Sequence, residues 1–577
     1  MNHKRQNFLE GAIVLTTATL VVKVIGALFK IPLANILGGV GMSYFVSAYD
    51  IFTPIYSLTV TGLSVAVSRV VSEAAVSGGR DTLGHVLGAA RRIFLLLGVL
   101  GSLLLALFAR GFSSLINNPG SAAAIYAIVP AIFFSCVTAA YRGYCQGLSN
   151  MVPTAKSQVL EAVVKLTAGT ALSFGVTRYL QQTFLATGEV LGHAAATPAQ
   201  ANLWIFQYSA AAAILGVTLS TAAGALYMHL YFKASGGKAI RPTQRRDRLQ
   251  QRDIGRRLLS IAIPISLATL VVNLTSIIDL MSVMNCLKGA ITRDSAAILS
   301  MYSGLIPPEV TLDVLPEYLY GSYSGLAFSL FNLIPSITAA LGISAIPSVT
   351  ASYLSGSRER LNETVGSILR ITLMVALPAG LGLSVLSGPI LTLLYPARTM
   401  EAAIITPVLR VMGISSILVA VTTPINSILQ AIGRERLPLL ALSMGAVVKL
   451  GTNFFLVSQP QINIQGVPYG TLFCYGLIIL ISSAVLIFGA GIRLPLFSIF
   501  VKPLFCAGLC AATAHYAYGF LFASHGNTLR VLVAIAAAAL VYVLALLLTG
   551  TITKADAEML PGGKKIVKTL EKMRFIR

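Results

Sequence analysis

Apolar residues in this chain come in long, nearly unbroken runs. Fourteen can be marked, near positions 9–31, 43–72, 88–109, 121–141, 156–178, 203–232, 258–285, 322–353, 367–387, 403–430, 438–457, 465–490, 503–523 and 529–549. A helix needs about 20 apolar residues to cross about 30 Å of hydrocarbon, and each run is of that order or longer. Small residues recur at helical spacing within the runs, and strict apolar–polar alternation is missing. The pattern therefore predicts α-helices and not barrel strands. The expected fold class is an all-α integral membrane protein with 14 transmembrane helices.

Composition agrees. Hydrophobic residues make up 56% of the 577 positions and charged residues 11%, and the mean hydropathy is +0.80. Too little polar surface remains for a soluble globule. The charge balance alone, 42 Lys and Arg against 20 Asp and Glu, would admit a nucleic-acid partner. Placement decides otherwise. With the N-terminus inside, about 31 of the basic residues fall at cytoplasmic ends and loops, about 6 outside and about 5 within helices, as the positive-inside rule requires. The dense runs "KAIRPTQRRDRLQQRDIGRR" (Lys238 to Arg257) and "KADAEMLPGGKKIVKTLEKMRFIR" at the C-terminus then face the cytoplasm. Their expected partners are membrane lipids, not nucleic acid. Fourteen spans put both termini on the cytoplasmic side of the membrane.

The first run carries Lys23 and is too long for a cleaved leader, so it reads as the first span. The six cysteines (Cys136, Cys145, Cys286, Cys474, Cys506, Cys510) and six histidines are scattered, which makes neither a disulfide framework nor a metal site. No HExxH, Walker loop, GxSxG or paired acidic motif occurs. An enzyme is not expected.

The pentapeptide "AVVKL" occurs at Ala162 to Leu166 and again at Ala446 to Leu450. Other matches keep the same order. "TLVVK" (Thr19 to Lys23) pairs with "TLVVN" (Thr269 to Asn273) at an offset of 250, the end of span two with the end of span eight at 278, and Gln146 to Leu166 with Gln430 to Leu450 at 284. Most of the added length falls in the loop 286–321. Spans one to six thus repeat as seven to twelve. Six is even, so the repeats run in parallel through the membrane, with a central site expected between them. The expected organisation is an N-lobe (1–237), a basic linker (238–257), a C-lobe (258–492), two appended helices (493–550) and a basic tail (551–577). The two pseudo-symmetric lobes have six helices each.

Two six-helix lobes plus two helices resemble the multidrug/oligosaccharidyl-lipid/polysaccharide exporter superfamily. "RGYCQGLSNMVPTAKSQVLEAVVKL" and "YFVSAYDIFTPIYSLTVTGLSVAVSRVVSE" resemble its branch holding stage V sporulation protein B and polysaccharide-biosynthesis relatives, close to the MurJ-type lipid II flippases. The resemblance implies a monomer that flips an undecaprenyl-pyrophosphate-linked sugar precursor by alternating access, without a cofactor. The alternatives are a drug or metabolite antiporter of the same superfamily, coupled to Na⁺ or H⁺, and a membrane scaffold without transport.

Charges at membrane depth carry the candidate chemistry, because desolvation costs several kcal/mol or more. Lys23 lies about twelve residues into the first helix, roughly 18 Å along it. A cation lining a cavity suits a pyrophosphate, and the resemblance implies basic cavity residues near this position. Asn273, which the repeat aligns with Lys23, is its counterpart. Lys30 follows near the outer end, before Pro32. It can snorkel to headgroups or close an outer gate with Asp279 as partner and Asp50 as second partner. The alternative is three unrelated interfacial charges. Glu161 and Lys165, four residues apart, share a helix face and are expected to pair. Lys449, the repeat counterpart of Lys165, lacks that acid and has Asn453 instead. Both lysines are expected near cytoplasmic helix ends. Some relatives bind Na⁺ between helices seven, eleven and twelve, which implies a cation site from Asn453, Thr471, the carbonyl of Val467 and Asp279. The relatives' second acid falls at Val457, which cannot ligate. Interhelical hydrogen bonding is the alternative for Asn453 and Thr471.

Overall fold

The computed structural model describes residues 8–77, 80–195, 197–235, 248–434, 436–520, 526–553 and 556. Linker residues 238–247 and tail residues 554, 555 and 557–577 lie outside the described residues. Helix dominates. In chain order the helices are α1 (Phe8–Tyr56), α2 (Gly62–Ser77), α3 (Arg80–Leu115), α4 (Ala122–Gly147), α5 (Val152–Thr187), α6 (Pro198–Ala234), α7 (Arg248–Arg293), α8 (Ser295–Met301) and α9 (Leu315–Ser322). Then come α10 (Phe328–Phe331), α11 (Leu333–Leu354), α12 (Arg358–Val385), α13 (Ser387–Leu394), α14 (Thr399–Ala431), α15 (Arg436–Val457), α16 (Val467–Ala484), α17 (Lys502–Phe520) and α18 (Asn527–Leu548). A two-stranded hairpin, Glu189–Val190 with His193–Ala194, joins α5 to α6.

Among the described residues, eleven helical stretches are long and apolar enough to cross a membrane. The chain is a multi-pass membrane protein. The first stretch, Val14–Ala75, is 62 residues long and holds the first two predicted spans. The predicted seventh and eighth spans, in α7 and α9–α11, include side chains outside the described set and are not among the eleven.

The first two spans meet at Gly38, inside α1, whose backbone has φ 62° and ψ −171°. Only glycine adopts that conformation without strain. The rings of Phe29 and Phe45 lie 5.9 Å apart. In a straight helix sixteen residues would separate them by about 24 Å. The chain therefore folds back on itself at Gly38. The expected helix end before Pro32 is corrected: the helix runs on through Pro32 to Leu37. Lys30 consequently sits about 12 Å before the corner and Asp50 about 18 Å beyond it.

The chain divides into two compact units: residues 1–288 with 307–325, and 289–306 with 326–577. In the first, α5 and α6 cross where a methyl on Gly216 would overlap the backbone of Gly169. α9 meets the start of span two, where a methyl on Gly321 would overlap the carbonyl of Gly39. α7 lies along α2: Gly62 admits the backbone of Ala262, and Arg257 Nη2 reaches Glu73 Oε2 at 2.6 Å. Small residues at crossings are how membrane helices gain contact when lipid supplies no hydrophobic drive.

In the second unit the core gathers Val365, Leu369, Leu373, Ile425, Ile428 and Ala534 from α12, α14 and α18. Tyr542 donates to the Met374 carbonyl at 2.6 Å, tying α18 to α12. α4 ends at Gly147 and α14 at Ala431, so helix ends recur at the 284-residue offset of the sequence repeat.

Gly38→Ala is expected to lower stability by about 1–3 kcal/mol, the cost of a side chain in that backbone region. Gly88→Ala, at a helical glycine with open space around it, serves as control and should be neutral or stabilising. Thermal unfolding of the purified proteins checks both. An unchanged midpoint in Gly38→Ala would show that the corner tolerates another conformation.

Candidate functional site

Within the first unit, α1, α2, α4, α5 and α6 line a half-open cavity of about 520 Å³. Its polar wall comes from α4 and α5, which are joined by the short turn 148–151 and both pack against α6. Arg142 on α4 donates from Nη2 to Glu161 Oε1 on α5 at 2.8 Å. Its Nε donates to Ser157 Oγ at 2.9 Å, and the Ser157 hydroxyl donates in turn to the Thr154 carbonyl at 2.8 Å. Gln146 and Gln158 extend the polar wall, and Tyr56 and Phe52 form an apolar one. The Glu161 carboxylate fits only because residue 224 of α6 is glycine; a methyl there would overlap it.

Lys165 also lines this cavity. Its Nζ stands 5.8 Å from the Phe29 ring centroid, a distance at which a cation is attracted to the ring face. The expected Glu161–Lys165 ion pair is corrected here: Glu161 spends its close contact on Arg142, and Lys165, one turn on, acts on Glu161 only at longer range. Arg142 lies just past the predicted end of span four and nineteen residues from Glu161. It reads in sequence as a boundary charge, and no helical spacing links it to Glu161. Only the α4–α5 hairpin does.

The cavity wall carries two cations and one carboxylate. Thr19 and Val22 of α1 are part of it, whereas Lys23 is exposed and outside it. Asn273 does not line it either. Its Nδ2 donates to Ser57 Oγ at 2.6 Å and to the Thr269 carbonyl at 2.9 Å, fastening α7 to the π-helical turn Ser57–Thr61 that follows α1.

Lys30, Asp50 and Asp279 fall in the same compact unit; Asp50 is within electrostatic reach of both Lys30 and Asp279, and the two carboxylates act on the buried Tyr320 and Tyr323. Asp50, not Asp279, is the carboxylate that acts most strongly on Lys30. The Gly38 corner puts Lys30 and Asp50 deeper than a count along straight helices predicts.

Lys165 and Lys449 each stand thirteen residues after the first residue of their helices, α5 and α15. Thirteen residues is about 20 Å, so both lie well inside and not at the helix ends expected. In the second unit Asn453 and Thr471 are buried. Asn453 Oδ1 packs against Gly470 of α16, where a methyl would come within 2.5 Å of it. Val467 opens α16. Asp279 belongs to the other unit.

The sequence profile of the family described as polysaccharide biosynthesis protein matches residues 8–353, and that of MatE matches residues 322–455. "Stage V sporulation protein B" of Bacillus subtilis (strain 168) is 23% identical over 563 residues, covering 96% of this chain and 98% of the relative. "Lipid II flippase MurJ" of the same organism is 25% identical over 470 residues, covering 78% of each chain. Among solved structures, lipid II flippase MurJ in an inward closed conformation aligns with a TM-score of 0.63 at 13% identity, covering 93% of this chain and 98% of that one. An inward-facing multidrug resistance MATE family transporter of the MOP superfamily gives 0.58 at 15% identity, covering 83% and 98%. These likenesses show a shared fold.

Removing one partner of the Arg142–Glu161 pair strands a charge. Glu161→Gln should cost on the order of 2–3 kcal/mol, below the 3–5 of a wholly buried pair because both groups border the cavity. The double variant Arg142→Gln/Glu161→Gln should recover part of that loss. A double-mutant cycle by thermal unfolding checks the coupling, and a double variant no more stable than Glu161→Gln would disprove it.

Proposed function

The chain belongs to the polysaccharide biosynthesis protein family, and on that basis we propose that it flips a polyprenyl-pyrophosphate-linked cell-wall or polysaccharide precursor, of the lipid II kind, across a bacterial cytoplasmic membrane. Both termini lie on the inner side in this reading, and movement is by alternating access. The observation that carries it is the cavity of the first unit, where Lys165 and Arg142 outweigh Glu161 at membrane depth. An ammonium on a flexible stem attracts a diphosphate without demanding one geometry. The amides of Gln146 and Gln158 and the hydroxyl of Ser220 offer hydrogen bonds to sugar hydroxyls. Arg142 is held by its carboxylate and Ser157, so Lys165 is the cation left to meet an anion.

A second reading is favoured by the MatE match over residues 322–455: a drug or metabolite antiporter coupled to Na⁺ or H⁺. Asn453 and Thr471, with the Val467 carbonyl, would then sit near the coupling ion.

The two readings separate in liposomes containing the purified chain. The flippase reading expects movement of labelled lipid II, or of another polyprenyl-pyrophosphate sugar, without an imposed Na⁺ or H⁺ gradient and without movement of cationic drugs. Lys165→Ala should lower the flipping rate by about tenfold or more, equivalent to about 1.4 kcal/mol of lost stabilisation, while Lys165→Arg keeps most of it. Wild-type rates in Lys165→Ala would refute the role of this cavity.

A further inference from the structure

A second polar pocket, of about 440 Å³, lies in the second unit. Its floor is made by Ser367 and Arg370 of α12, both buried. Its rim carries Glu363 and Arg493, both exposed, and Thr553 just after α18. The chain beyond α18 turns back here. Arg370 Nη1 donates to Thr553 Oγ1 at 2.9 Å and to Asp556 Oδ2 at 2.7 Å. Thr553 and Asp556 also cap each other, from Thr553 N–H to Asp556 Oδ2 at 2.9 Å and from Asp556 N–H to Thr553 Oγ1 at 3.3 Å.

Despite these bonds, three buried polar atoms have no hydrogen-bond partner: Arg370 Nε, Ser367 Oγ and Asp556 Oδ1. Such atoms are costly unless a ligand or water meets them. The first two belong to the pocket floor. Arg370 and Asp556 cancel in charge, as do Arg493 and Glu363 across the rim. A ligand that satisfies this site must accept from the buried Arg370 Nε; at the exposed rim it can also accept from Arg493 and donate to Glu363.

The depth of the pocket narrows the choice. The predicted spans begin at 367 and 503 and end at 549, so the pocket sits where all three enter the bilayer. Arg434 reaches the Gly489 carbonyl at this end of the unit, Lys502 reaches the Thr549 carbonyl at 3.0 Å, and Arg358 approaches Gly491. A basic end of this kind faces the cytoplasm and draws anionic headgroups.

We infer that this pocket holds the headgroup of an inner-leaflet phospholipid that carries both a phosphodiester and free hydroxyls, as phosphatidylglycerol does. The phosphate oxygens accept from Arg370 Nε, Ser367 and Arg493, and the glycerol hydroxyls donate to Glu363. A bound headgroup ties α12 to the segment after α18. Phosphatidylcholine supplies the phosphate but no donor. Free phosphate has the charge but no acyl chains to hold it at this depth.

The test uses the full chain in detergent, titrated with phosphatidylglycerol, phosphatidylcholine or inorganic phosphate. Thermal unfolding and native mass spectrometry are the readouts. Phosphatidylglycerol should raise the unfolding temperature and remain bound, and the other two should do neither. Ser367→Ala and Arg493→Gln should each weaken phosphatidylglycerol binding by about tenfold, the size of one hydrogen bond to a charged group. If Ser367→Ala misfolds, Arg493→Gln, at the exposed rim, decides. Equal effects of the two lipids, an equal effect of inorganic phosphate, or unchanged binding in Arg493→Gln would each overturn the assignment.

Discussion

A charge inside a bilayer must find its partner within the protein. The 2.8 Å contact between Arg142 and Glu161 meets that requirement and shapes what surrounds it. The pair needs α4 and α5 both packed on α6, glycine at 224 to admit the carboxylate, and Ser157 to accept from the guanidinium's Nε. With Arg142 neutralised, Lys165 is left facing the cavity. In hydrocarbon an unmatched polar group costs several kcal/mol, so the geometry around this pair is tightly constrained. The same logic applies at Arg370 and Asp556, where one ion pair satisfies some of the buried atoms and leaves others for a ligand.

Helix packing in the first unit follows from side-chain size. Gly39 against Gly321, Gly216 against Gly169 and Gly62 against Ala262 are crossings where a single methyl would overlap backbone. Polar contacts then fix the register. Asn273 reaches Ser57, and Arg257 reaches Glu73, so α7 is pinned to the α1–α2 segment at two depths. The helix that opens the second sequence repeat is therefore held by contacts to helices of the first. Lys30, Asp50 and Asp279 share one unit for that reason.

Much of this was legible in the sequence, because membrane insertion depends on sums over long segments. Apolar runs of about 20 residues announce spans whatever their partners, and the repeat is visible because its halves keep their order. The placement of Lys165 and Lys449 at equal distances along their own helices follows from the same repeat. The position of the first corner was not legible. Pro32 looks like a helix end, yet the helix continues beyond it, to where Gly38 supplies a backbone angle no other residue takes easily.

The site itself needed the fold. Glu161 and Lys165 carry the helical spacing of an ion pair, so sequence favours that pairing. Arg142, from another helix, brings a bidentate-capable guanidinium and a closer approach, and it wins. Lys23 has the right depth but is exposed and outside the cavity wall, since depth is set by residue count and facing by the packing of neighbours. Sequence alone determined that the chain is a helical, multi-pass membrane protein, because hydrophobic length is a local, additive property. Which charges meet, and which one is left to bind a ligand, only the tertiary structure decided, because a pairing in low dielectric depends on distances of a few ångströms between helices far apart in the chain.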